Sequence, residues 1–289
     1  MTMPATPSVL DTIVAAARRR VEVARERRSL ADLERVLIDR AATPRPASDP
    51  SGGPSGTNGA FTRALQAPGI RVIAECKRRS PSRGVLRHDY DPVAIAGSYG
   101  RAGAAAISVL TEPGFFDGQL DHLEAVHAAH PALPLLRKDF VVDEYQIAEA
   151  SVAGASAVLL IVAALEQAAL QRLLGYAAQV GLDVLTEVHD EDEARRAIDA
   201  GAAVVGVNNR NLKTLAVSLD TSYRVAPLIA SATVRVAESG LRSGADLAAL
   251  SDAGYGAFLI GERFMTEADP GAGLARVLAE ATAALEASR

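Results

Sequence analysis

The chain has 289 residues and a formal net charge of −5, and this acidic balance argues against nucleic acid as its main partner. Hydrophobic residues make up 49% of it, aromatic residues 4%, and tryptophan is absent, so a core must consist mainly of alanine, valine, leucine and isoleucine. The apolar runs are too short to span a membrane, and the single Cys76 excludes an internal disulfide. The first ten residues do not resemble a secretion signal, so we expect a cytoplasmic protein without a membrane partner.

The first 60 residues differ in character from the rest. Apolar residues recur at helical spacing in VLDTIVAAARRRVEVARERRSL, and a shorter helical stretch follows around 30–41. We predict helices that pack on the main domain; the arginine-rich face also fits a helix on a membrane surface, which we favour less. Residues 43–59 are rich in Pro, Gly and Ser and are predicted to be a flexible linker. We therefore expect a helical extension with its linker over 1–60 and one domain over 61–289.

A repeat of helix, Ala-Gly, small residue and apolar strand organises that domain. Its glycines are Gly103, Gly154, Gly201 and Gly254, spaced 51, 47 and 53 residues apart, each where a helix end favours a left-handed residue. Each interval has room for two strand–helix units, which gives eight units in all. The predicted strands are 71–77, 106–112, 134–140, 157–163, 183–189, 204–210, 233–239 and 257–262.

Strict alternation of strands and helices predicts a parallel sheet, and eight units predict a closed (β/α)8 TIM barrel. An open doubly wound sheet is the alternative fold. It would favour a glycine-rich dinucleotide loop after the first strand, where this chain has ECKRRSPSRG.

Charged residues stand at the ends of three predicted strands: Lys77, Lys138 and Glu187. Since strand side chains alternate, Glu75 shares a face with Lys77, Phe140 with Lys138, and Asn208 with Arg210. Charges that flank such apolar strands indicate an acid–base site in one cavity rather than solvated strand ends. The pKa of Lys138 is expected to be depressed by partial burial and by a nearby Lys77, which suits a proton donor at neutral pH.

A phosphate site is predicted after the seventh and eighth strands, where ESGLRSG and LIGERF lie. Their glycines allow backbone N–H groups to approach an anion. The basic segment KRRSPSR after the first strand is predicted to be a flexible loop that steers an anionic substrate. Three histidines in 120–130 lack carboxylates from neighbouring strands, so we expect no metal site.

Seven segments together resemble the indole-3-glycerol-phosphate synthase family of tryptophan biosynthesis. They are AECKRRSPSRG (74–84), SVLTEPGFFDG (108–118), LLRKDFVVDEYQI (135–147), LTEVHDEDE (185–193), GVNNRNLKT (206–214), VAESGLRS (236–243) and FLIGERFM (258–265). The resemblance implies a carboxy-lyase that needs no cofactor. Its substrate would be 1-(2-carboxyphenylamino)-1-deoxyribulose 5-phosphate, and its products indole-3-glycerol phosphate, CO2 and water.

The resemblance also implies roles for individual residues. Lys138 would be the general acid of ring closure, and Glu187 the acid–base residue of dehydration. Lys77, beside Glu75, would lie near the reacting carboxylate and carbonyl. The implied substrate contacts are Asn208 and Arg210 at the anthranilate end, Phe116, Phe140 and Leu212 as apolar walls, and Ser80, Glu238, Ser239, Gly240, Leu259 and Gly261 elsewhere.

Glu262 departs from family members that carry serine at this position. A carboxylate beside a phosphate is unfavourable, so we expect Glu262 to bind through its backbone N–H and to turn its side chain away.

Two other functions stay open at this point. One is a Schiff-base aldolase-like phosphosugar lyase with Lys138 as nucleophile. The other is a catalytically silent phosphosugar-binding sensor. Docking with other enzymes of the tryptophan pathway is also left open.

Overall fold

The computed structural model describes residues 8–42, 59–212 and 214–287. Within these ranges eight parallel strands pair in chain order and close into a barrel, which confirms the predicted fold class. The strands are β1 (Arg71–Cys76), β2 (Ala106–Leu110), β3 (Leu135–Lys138), β4 (Ala157–Ile161), β5 (Asp183–Val188), β6 (Val204–Asn208), β7 (Val234–Glu238) and β8 (Ala257–Ile260). Each ends one or two residues earlier than predicted, so the last predicted residues belong to the loops at the barrel mouth.

Helices surround the barrel and precede it. They are α1 (Val9–Arg27), α2 (Leu30–Ala42), α3 (Ala60–Gln66), α4 (Pro92–Arg101), α5 (Pro113–Phe116), α6 (Leu120–Ala129), α7 (Glu144–Val152), α8 (Gln167–Gln179), α9 (Glu191–Asp199), α10 (Asp220–Val225), α11 (Gly244–Asp252), α12 (Glu262–Met265) and α13 (Pro270–Ala287). A short hairpin pairs 79–80 with 84–85 in the loop after β1. None of the described helices has both the length and the hydropathy to cross a bilayer.

The four repeated glycines end the helices that precede β2, β4, β6 and β8. Gly103, Gly154, Gly201 and Gly254 have φ angles of +93°, +92°, +84° and +93°. This is the left-handed region that side chains disfavour, and the prediction from the repeat is confirmed.

Strand alternation divides the hydrophobic core into an inner and an outer layer. Ile73, Leu136, Leu185 and Val236 are buried inside the barrel, together with other branched residues. The other face of each strand packs against the surrounding helices, and Cys76 is buried there. Cys76 therefore lies on the face of β1 opposite Glu75, beneath the surrounding helices.

Helix α3 closes the end of the barrel opposite the mouth. Its Phe61 and Leu65 are buried in the inner core layer. Asp183, at the start of β5, accepts hydrogen bonds from the backbone N–H groups of Gly59 and Thr62, both at 2.9 Å. A Cβ on Gly59 would lie 2.6 Å from the Asp183 carboxylate, so the close approach requires glycine. With one end sealed, ligands must enter from the mouth.

The N-terminal helices pack on the barrel, as predicted. Ser8 and Asp11 form a capping box at the start of α1. Ile13, Ala17 and Val21 are buried, and α2 packs against α7. The apolar stripe of α1 is therefore covered by protein rather than presented to a lipid surface. Of the predicted linker 43–59, residues 43–58 lie outside the described residues, and the domain division at residue 60 stays a prediction.

Candidate active site

A cavity of about 650 Å³ opens at the mouth of the barrel. Every residue predicted for the site lines it: Glu75, Lys77, Ser80, Phe116, Lys138, Phe140, Glu187, Asn208, Arg210, Leu212, Glu238, Ser239, Gly240, Leu259, Gly261 and Glu262. Residues distant in sequence meet because parallel strands all deliver their carboxyl ends to the same edge of a barrel. Their individual roles stay predictions.

Lys77 and Glu75 form an ion pair at the end of β1. Lys77 Nζ lies 2.5 Å from Glu75 Oε1, and both side chains are almost buried. Ser108 Oγ lies 3.4 Å from Glu75 Oε2, across the β1–β2 register. Since residues two apart on a strand face the same way, the alternation of β1 explains the pair.

Lys138 lies between two carboxylates. Its Nζ is 2.9 Å from Glu187 Oε2 and 2.7 Å from Glu238 Oε2. The three side chains come from β3, β5 and β7, and each is less than one-seventh exposed. Burial of these charges is tolerable because the ammonium and the carboxylates compensate one another.

The expected depression of the Lys138 pKa is wrong. Burial alone would lower it, but the carboxylates of Glu187, Glu238 and Glu75 outweigh burial and raise the pKa of Lys138 well above its ordinary value. Lys77 was expected to be the dominant neighbour of Lys138. In the structure Lys77 pairs with Glu75, and the groups that contact Lys138 are the carboxyl groups of Glu187 and Glu238.

The pKa values of the two glutamates that contact Lys138 are shifted in opposite directions. Burial raises the pKa of Glu187, but Lys138 and His189 more than offset it and hold that pKa far below its ordinary value. Burial, helped by the charges of Glu187 and Glu75, raises the pKa of Glu238 to about 7 against the opposing effect of Lys138. One carboxyl is therefore a firm anion, and the other takes up a proton near neutral pH.

His189 contacts Glu187 from the side opposite Lys138. Its Nε2 lies 3.2 Å from Glu187 Oε1, and its Nδ1 lies 3.0 Å from Glu193 Oε2. Burial lowers the pKa of His189, but the two carboxylates outweigh it and raise that pKa to about 10. His189 was not among the predicted site residues. Strand alternation could have found it, because it follows Glu187 by two residues and so lies on the same side of the strand.

The loop after β6 is fixed by two consecutive asparagines. Asn208 Oδ1 accepts a hydrogen bond from the backbone N–H of Arg210 at 3.0 Å. Asn209 is buried and donates to the carbonyl of Glu238 at 3.0 Å, while its Oδ1 accepts from Ser222. The loop therefore presents Asn208 and Arg210 to the cavity from a rigid base.

The predicted phosphate loops have different backbones. Ser239 and Gly240 both have positive φ, +62° and +79°, after β7. Consecutive left-handed residues turn the backbone sharply where it borders the cavity. Gly261, after β8, has a negative φ of −132°. A Cβ on Gly261 would lie 2.5 Å from Glu75 Oε1, so this glycine accommodates Glu75.

Glu262 does not turn its side chain away from the arginines of the cavity wall. Its carboxylate lies 2.9 Å from Arg83 Nε and 3.6 Å from an Nη atom of Arg210. Both arginines line the cavity. The expectation did not consider these two cations, and the backbone contact of Glu262 with a phosphate stays a prediction.

The basic loop after β1 divides into residues with different contacts. Arg78 pairs with Asp117 at 2.6 Å, and Arg83 lines the cavity. Arg87 donates to the backbone carbonyls of Glu267 and Ala268 at 2.9 and 3.3 Å, which makes it a structural anchor. Arg83 therefore lies where the predicted steering role needs a cation, whereas Arg87 supports the fold.

One wall of the cavity is apolar. The rings of Phe116 and Phe140 lie 6.3 Å apart between centroids. Helix α1 adds Val9, Leu10 and Ile13 to the cavity lining, a contribution that the sequence analysis missed. Helical spacing shows that α1 has an apolar face but does not show where that face docks.

A buried polar network supports this wall from beneath. Arg20 of α1 lies 3.0 Å from Glu112 Oε1 and 3.1 Å from Asp139 Oδ1. Glu112 also caps α5, the helix that ends at Phe116, and Asp139 separates Lys138 from Phe140. Arg20 therefore joins α1 to two loops of the site. Within the described residues no cluster of three or more His, Cys, Asp and Glu is arranged to hold a metal ion.

Solved structures of low sequence identity share the fold. A mandelate oxidase variant superposes with a TM-score of 0.59 at 20% identity, covering 88% of this chain and 94% of its own. A 3-hexulose-6-phosphate synthase from Salmonella typhimurium gives 0.56 at 14% identity, covering 74% and 100%. At these identities the likeness supports the barrel fold alone.

Sequence comparison identifies the family. The family profile described as Indole-3-glycerol phosphate synthase matches residues 10–277. The chain is 46% identical over 275 residues to an indole-3-glycerol phosphate synthase of Mycobacteroides abscessus, covering 95% of each chain. It is 48% identical over 263 residues to indole-3-glycerol phosphate synthase 1 of Streptomyces coelicolor, covering 91% of this chain and 92% of the relative. The chain belongs to the indole-3-glycerol phosphate synthase family.

Proposed function

We propose that this protein converts 1-(2-carboxyphenylamino)-1-deoxyribulose 5-phosphate to indole-3-glycerol phosphate, CO2 and water. The observation that carries the proposal is the position of Lys138 between Glu187 and Glu238 inside a cavity whose lining includes an apolar wall and arginine side chains. The substrate has matching parts, since an aromatic ring and a phosphate stand at opposite ends of a flexible sugar chain. A site that fixes both ends brings the ring carbon against the ketone.

Ring closure needs a proton donor at the ketone oxygen, because attack by the ring carbon turns that oxygen into an alkoxide. Lys138 is the donor in this proposal. Its raised pKa keeps it charged at neutral pH and makes it a weak acid towards water, but the alkoxide is a far stronger base than water. The proton therefore moves when the new carbon–carbon bond forms.

Loss of CO2 needs an electron sink rather than a base. The ring whose carbon has just attacked the ketone carries an iminium-like positive charge, and breaking its bond to the carboxylate returns those electrons to the ring. In the proposal Lys77 orients the departing carboxylate and Glu75 holds Lys77 in place, which their 2.5 Å contact supports.

Dehydration follows, and we assign its proton transfers to Glu187. While Lys138 is charged, Glu187 is firmly ionised. Once Lys138 has given its proton to the substrate, the main charge that lowers the Glu187 pKa is gone, so that pKa rises. Glu187 then takes the proton that leaves the carbon next to the nitrogen and gives it to the departing hydroxyl, and Lys138 regains its own proton from water.

The rest of the cavity positions the two ends of the substrate. Phe116, Phe140 and Leu212 would contact the aromatic ring, with Asn208 and Arg210 at its edge. Backbone N–H groups near Gly240 and Gly261 would bind the phosphate, with Arg83 as a nearby cation. Ser80, Ser239, Leu259, Glu238 and the backbone of Glu262 complete the proposed contacts.

The Schiff-base alternative is disfavoured by the charge state of Lys138. A lysine nucleophile must be neutral, and here two carboxylates at 2.7 and 2.9 Å stabilise the ammonium. Borohydride treatment with substrate should therefore leave no covalent adduct on Lys138. A silent binding protein is disfavoured because a sensor has no need of a buried acid–base cluster.

We also propose that the protein works in the cytoplasm, which the buried free thiol of Cys76 supports. Docking with other enzymes of the tryptophan pathway remains a prediction. Co-elution of the purified protein with such an enzyme, at micromolar concentrations of both, tests it.

The direct test of the proposed function is turnover. Purified protein is mixed with the carboxyphenylamino-deoxyribulose phosphate, and indole fluorescence and CO2 release are followed together. Equal amounts of both products support the proposal. With Glu187→Gln, rapid quench should reveal a decarboxylated, still hydrated intermediate. Absence of fluorescent product from the wild-type protein at micromolar enzyme would contradict the proposed function.

A further inference from the structure

A chain of three titratable side chains leads from the cavity towards the surface through β5 and α9. Glu187 lines the cavity, His189 follows it, and Glu193 lies beyond on the first turn of α9. The exposed fractions of the three side chains are 4%, 9% and 16%. The roles proposed above use Glu187 and leave His189 and Glu193 without a function.

The backbone explains why these three groups meet. Asp190 accepts from the backbone N–H of Glu193 at 2.8 Å and so begins α9 immediately after β5. The turn brings Glu193 back to His189, where Glu193 Oε2 accepts from the backbone N–H at 2.9 Å and contacts Nδ1 at 3.0 Å. Two contacts from one carboxylate oxygen fix both the position and the rotation of the imidazole.

This arrangement determines which imidazole nitrogen faces the cavity. Nδ1 carries a proton towards Glu193, and Nε2 is directed to Glu187 Oε1 at 3.2 Å. Nε2 is fully buried and makes no hydrogen bond of good geometry within the described residues. Glu187 Oε1 is therefore the polar atom available to it. The other oxygen of Glu187 contacts Lys138.

Glu187 is thus held by one cation on each oxygen, and the two cations differ in what the reaction does to them. Lys138 is to donate its proton during ring closure and loses its charge at that moment. Without a second partner, the Glu187 carboxylate would then be free to rotate. We propose that His189, fixed by Glu193, is a positioning residue that keeps the Glu187 carboxylate in place for dehydration. The inference deepens the proposed function and rests on it.

The charge balance supports this role. The charged groups around His189 are Glu187 on β5, Glu193 on α9, and Lys138 on the far side of Glu187. The two carboxylates raise the pKa of His189 against the effect of its burial, so the imidazole is protonated throughout the neutral range. A cation that stays charged after Lys138 has reacted is what the role requires.

The test compares His189→Phe, Glu193→Gln and the control Glu191→Gln. His189→Phe keeps the ring volume and removes both N–H groups. Glu193→Gln removes the charge that orients the imidazole. Glu191 is next to the same helix start, but its carboxylate pairs with the exposed Arg224 and does not line the cavity.

We expect His189→Phe to lower kcat by about 10- to 100-fold, the scale seen when a group that orients a metal ligand is lost, with KM changed less than about threefold. Rapid quench should show the decarboxylated, still hydrated intermediate accumulating rather than unreacted substrate. The acidic limb of the kcat–pH profile should move to higher pH, because Glu187 loses a cation. Glu193→Gln should give a smaller effect of the same kind, and Glu191→Gln none.

The outcomes separate the two proposals. Failure of the wild-type protein to turn over contradicts the proposed function itself. The positioning role is contradicted if the wild-type protein turns over normally and both His189→Phe and Glu193→Gln keep its kcat, its acidic pH limb and its pattern of intermediates. This holds whatever happens to the thermal stability of the variants. If His189→Phe does not fold, Glu193→Gln decides alone. An NMR titration tests the contact independently of activity. The pKa of His189 should fall in Glu187→Gln, and an unchanged pKa contradicts the contact between the two side chains.

Discussion

The ammonium of Lys138 lies 2.9 Å from the carboxylate of Glu187, so the proposed proton donor and the proposed dehydration residue are bonded before substrate arrives. The protonation of each therefore controls the acidity of the other. This coupling lets one pair serve two successive proton transfers. It also means that removing either partner changes the behaviour of the remaining one.

Replacing Lys138 with methionine should affect chemistry more than binding. The variant keeps the side-chain volume and removes the proton donor, so we expect kcat to fall by at least the ~10²–10⁴ typical of general acid catalysis. Substrate affinity, measured by equilibrium binding, should change far less. Arg195→Met, which removes a cation from an exposed helix position, is the control. Retention of more than a tenth of the wild-type kcat contradicts the assignment.

The pH dependence of stability should report on His189. Folding raises its pKa from the ordinary value of 6.5 to about 10, so the stabilisation it gives is complete below pH 6.5. As pH rises from 6.5 to about 10, the free energy of unfolding should fall by up to about 1.4 kcal/mol per pH unit from this group. Denaturant melts at each pH measure it. His189→Gln should flatten this interval, and identical slopes in both proteins count against the raised pKa.

The ion pair between Glu262 and Arg83 should compete with the substrate phosphate. Both arginines paired with Glu262 line the cavity, so Glu262→Ser frees two cations. A partly exposed pair of this kind stabilises by about 0.2–1 kcal/mol, which corresponds to at most a roughly fivefold lower KM. Inorganic phosphate should also inhibit more tightly. Glu267→Ser, which removes a pair with Arg276 outside the cavity, should leave both constants unchanged. A higher KM in Glu262→Ser contradicts the competition.

Arg20 should join the N-terminal helix to the site. It contacts two buried carboxylates, Glu112 and Asp139, which retain their other partners when Arg20 is removed. A charge-assisted hydrogen bond contributes about 1.5–3 kcal/mol, and less where solvent reaches it. Because Arg20 is one-third exposed, we expect Arg20→Met to lower the free energy of unfolding by about 1–3 kcal/mol. KM should rise, because α1 forms part of the cavity wall. The neighbouring Arg19 pairs with Glu22 on the surface, and Arg19→Met should do neither. Equal stability losses in the two variants would argue against the network.

Local patterns in the sequence were sufficient for the fold and for the strand-end residues that line the cavity, whereas cavity residues such as Phe116 and Ser80 were expected only from the family resemblance. Alternation along β1 predicts that Glu75 and Lys77 share a face, and the repeated Ala-Gly predicts the left-handed helix ends. These rules depend on a few neighbouring residues. Closure of the barrel then brings the strand ends together without further information from the sequence.

Electrostatics and docking were not predictable in the same way. The pKa of Lys138 depends on Glu187 and Glu238, which lie 49 and 100 residues away in the chain. The expected pair of partial burial and a nearby Lys77 gave the wrong direction. The contribution of α1 to the cavity likewise depends on contacts such as Arg20 with Glu112, 92 residues apart. Such contacts exist only once the tertiary structure is formed.

A substitution at Gly261 tests whether the space beside this glycine accommodates the substrate phosphate or the side chain of Glu75. We expected this glycine to be needed for approach of the phosphate, but its missing Cβ faces Glu75, with 2.5 Å to Oε1 and 2.8 Å to Cβ. The φ of Gly261 is −132°, outside the left-handed region, and the obstacle to Gly261→Ala that the structure shows is the contact with Glu75. Glu75 must move, and its pair with Lys77 must move with it.

We therefore expect Gly261→Ala to lower kcat/KM by about 10²-fold, the scale of a roughly 1 Å misplacement at a reacting group, and to cost about 1–3 kcal/mol of stability from overpacking. Inhibition by inorganic phosphate should stay within about threefold of wild type, because the backbone N–H groups remain. Gly256→Ala is the matched control, since a Cβ there meets nothing within 4 Å. The opposite pattern, lost phosphate inhibition with a normal kcat, would show that the space at Gly261 belongs to the phosphate and that Glu75 yields to the methyl group.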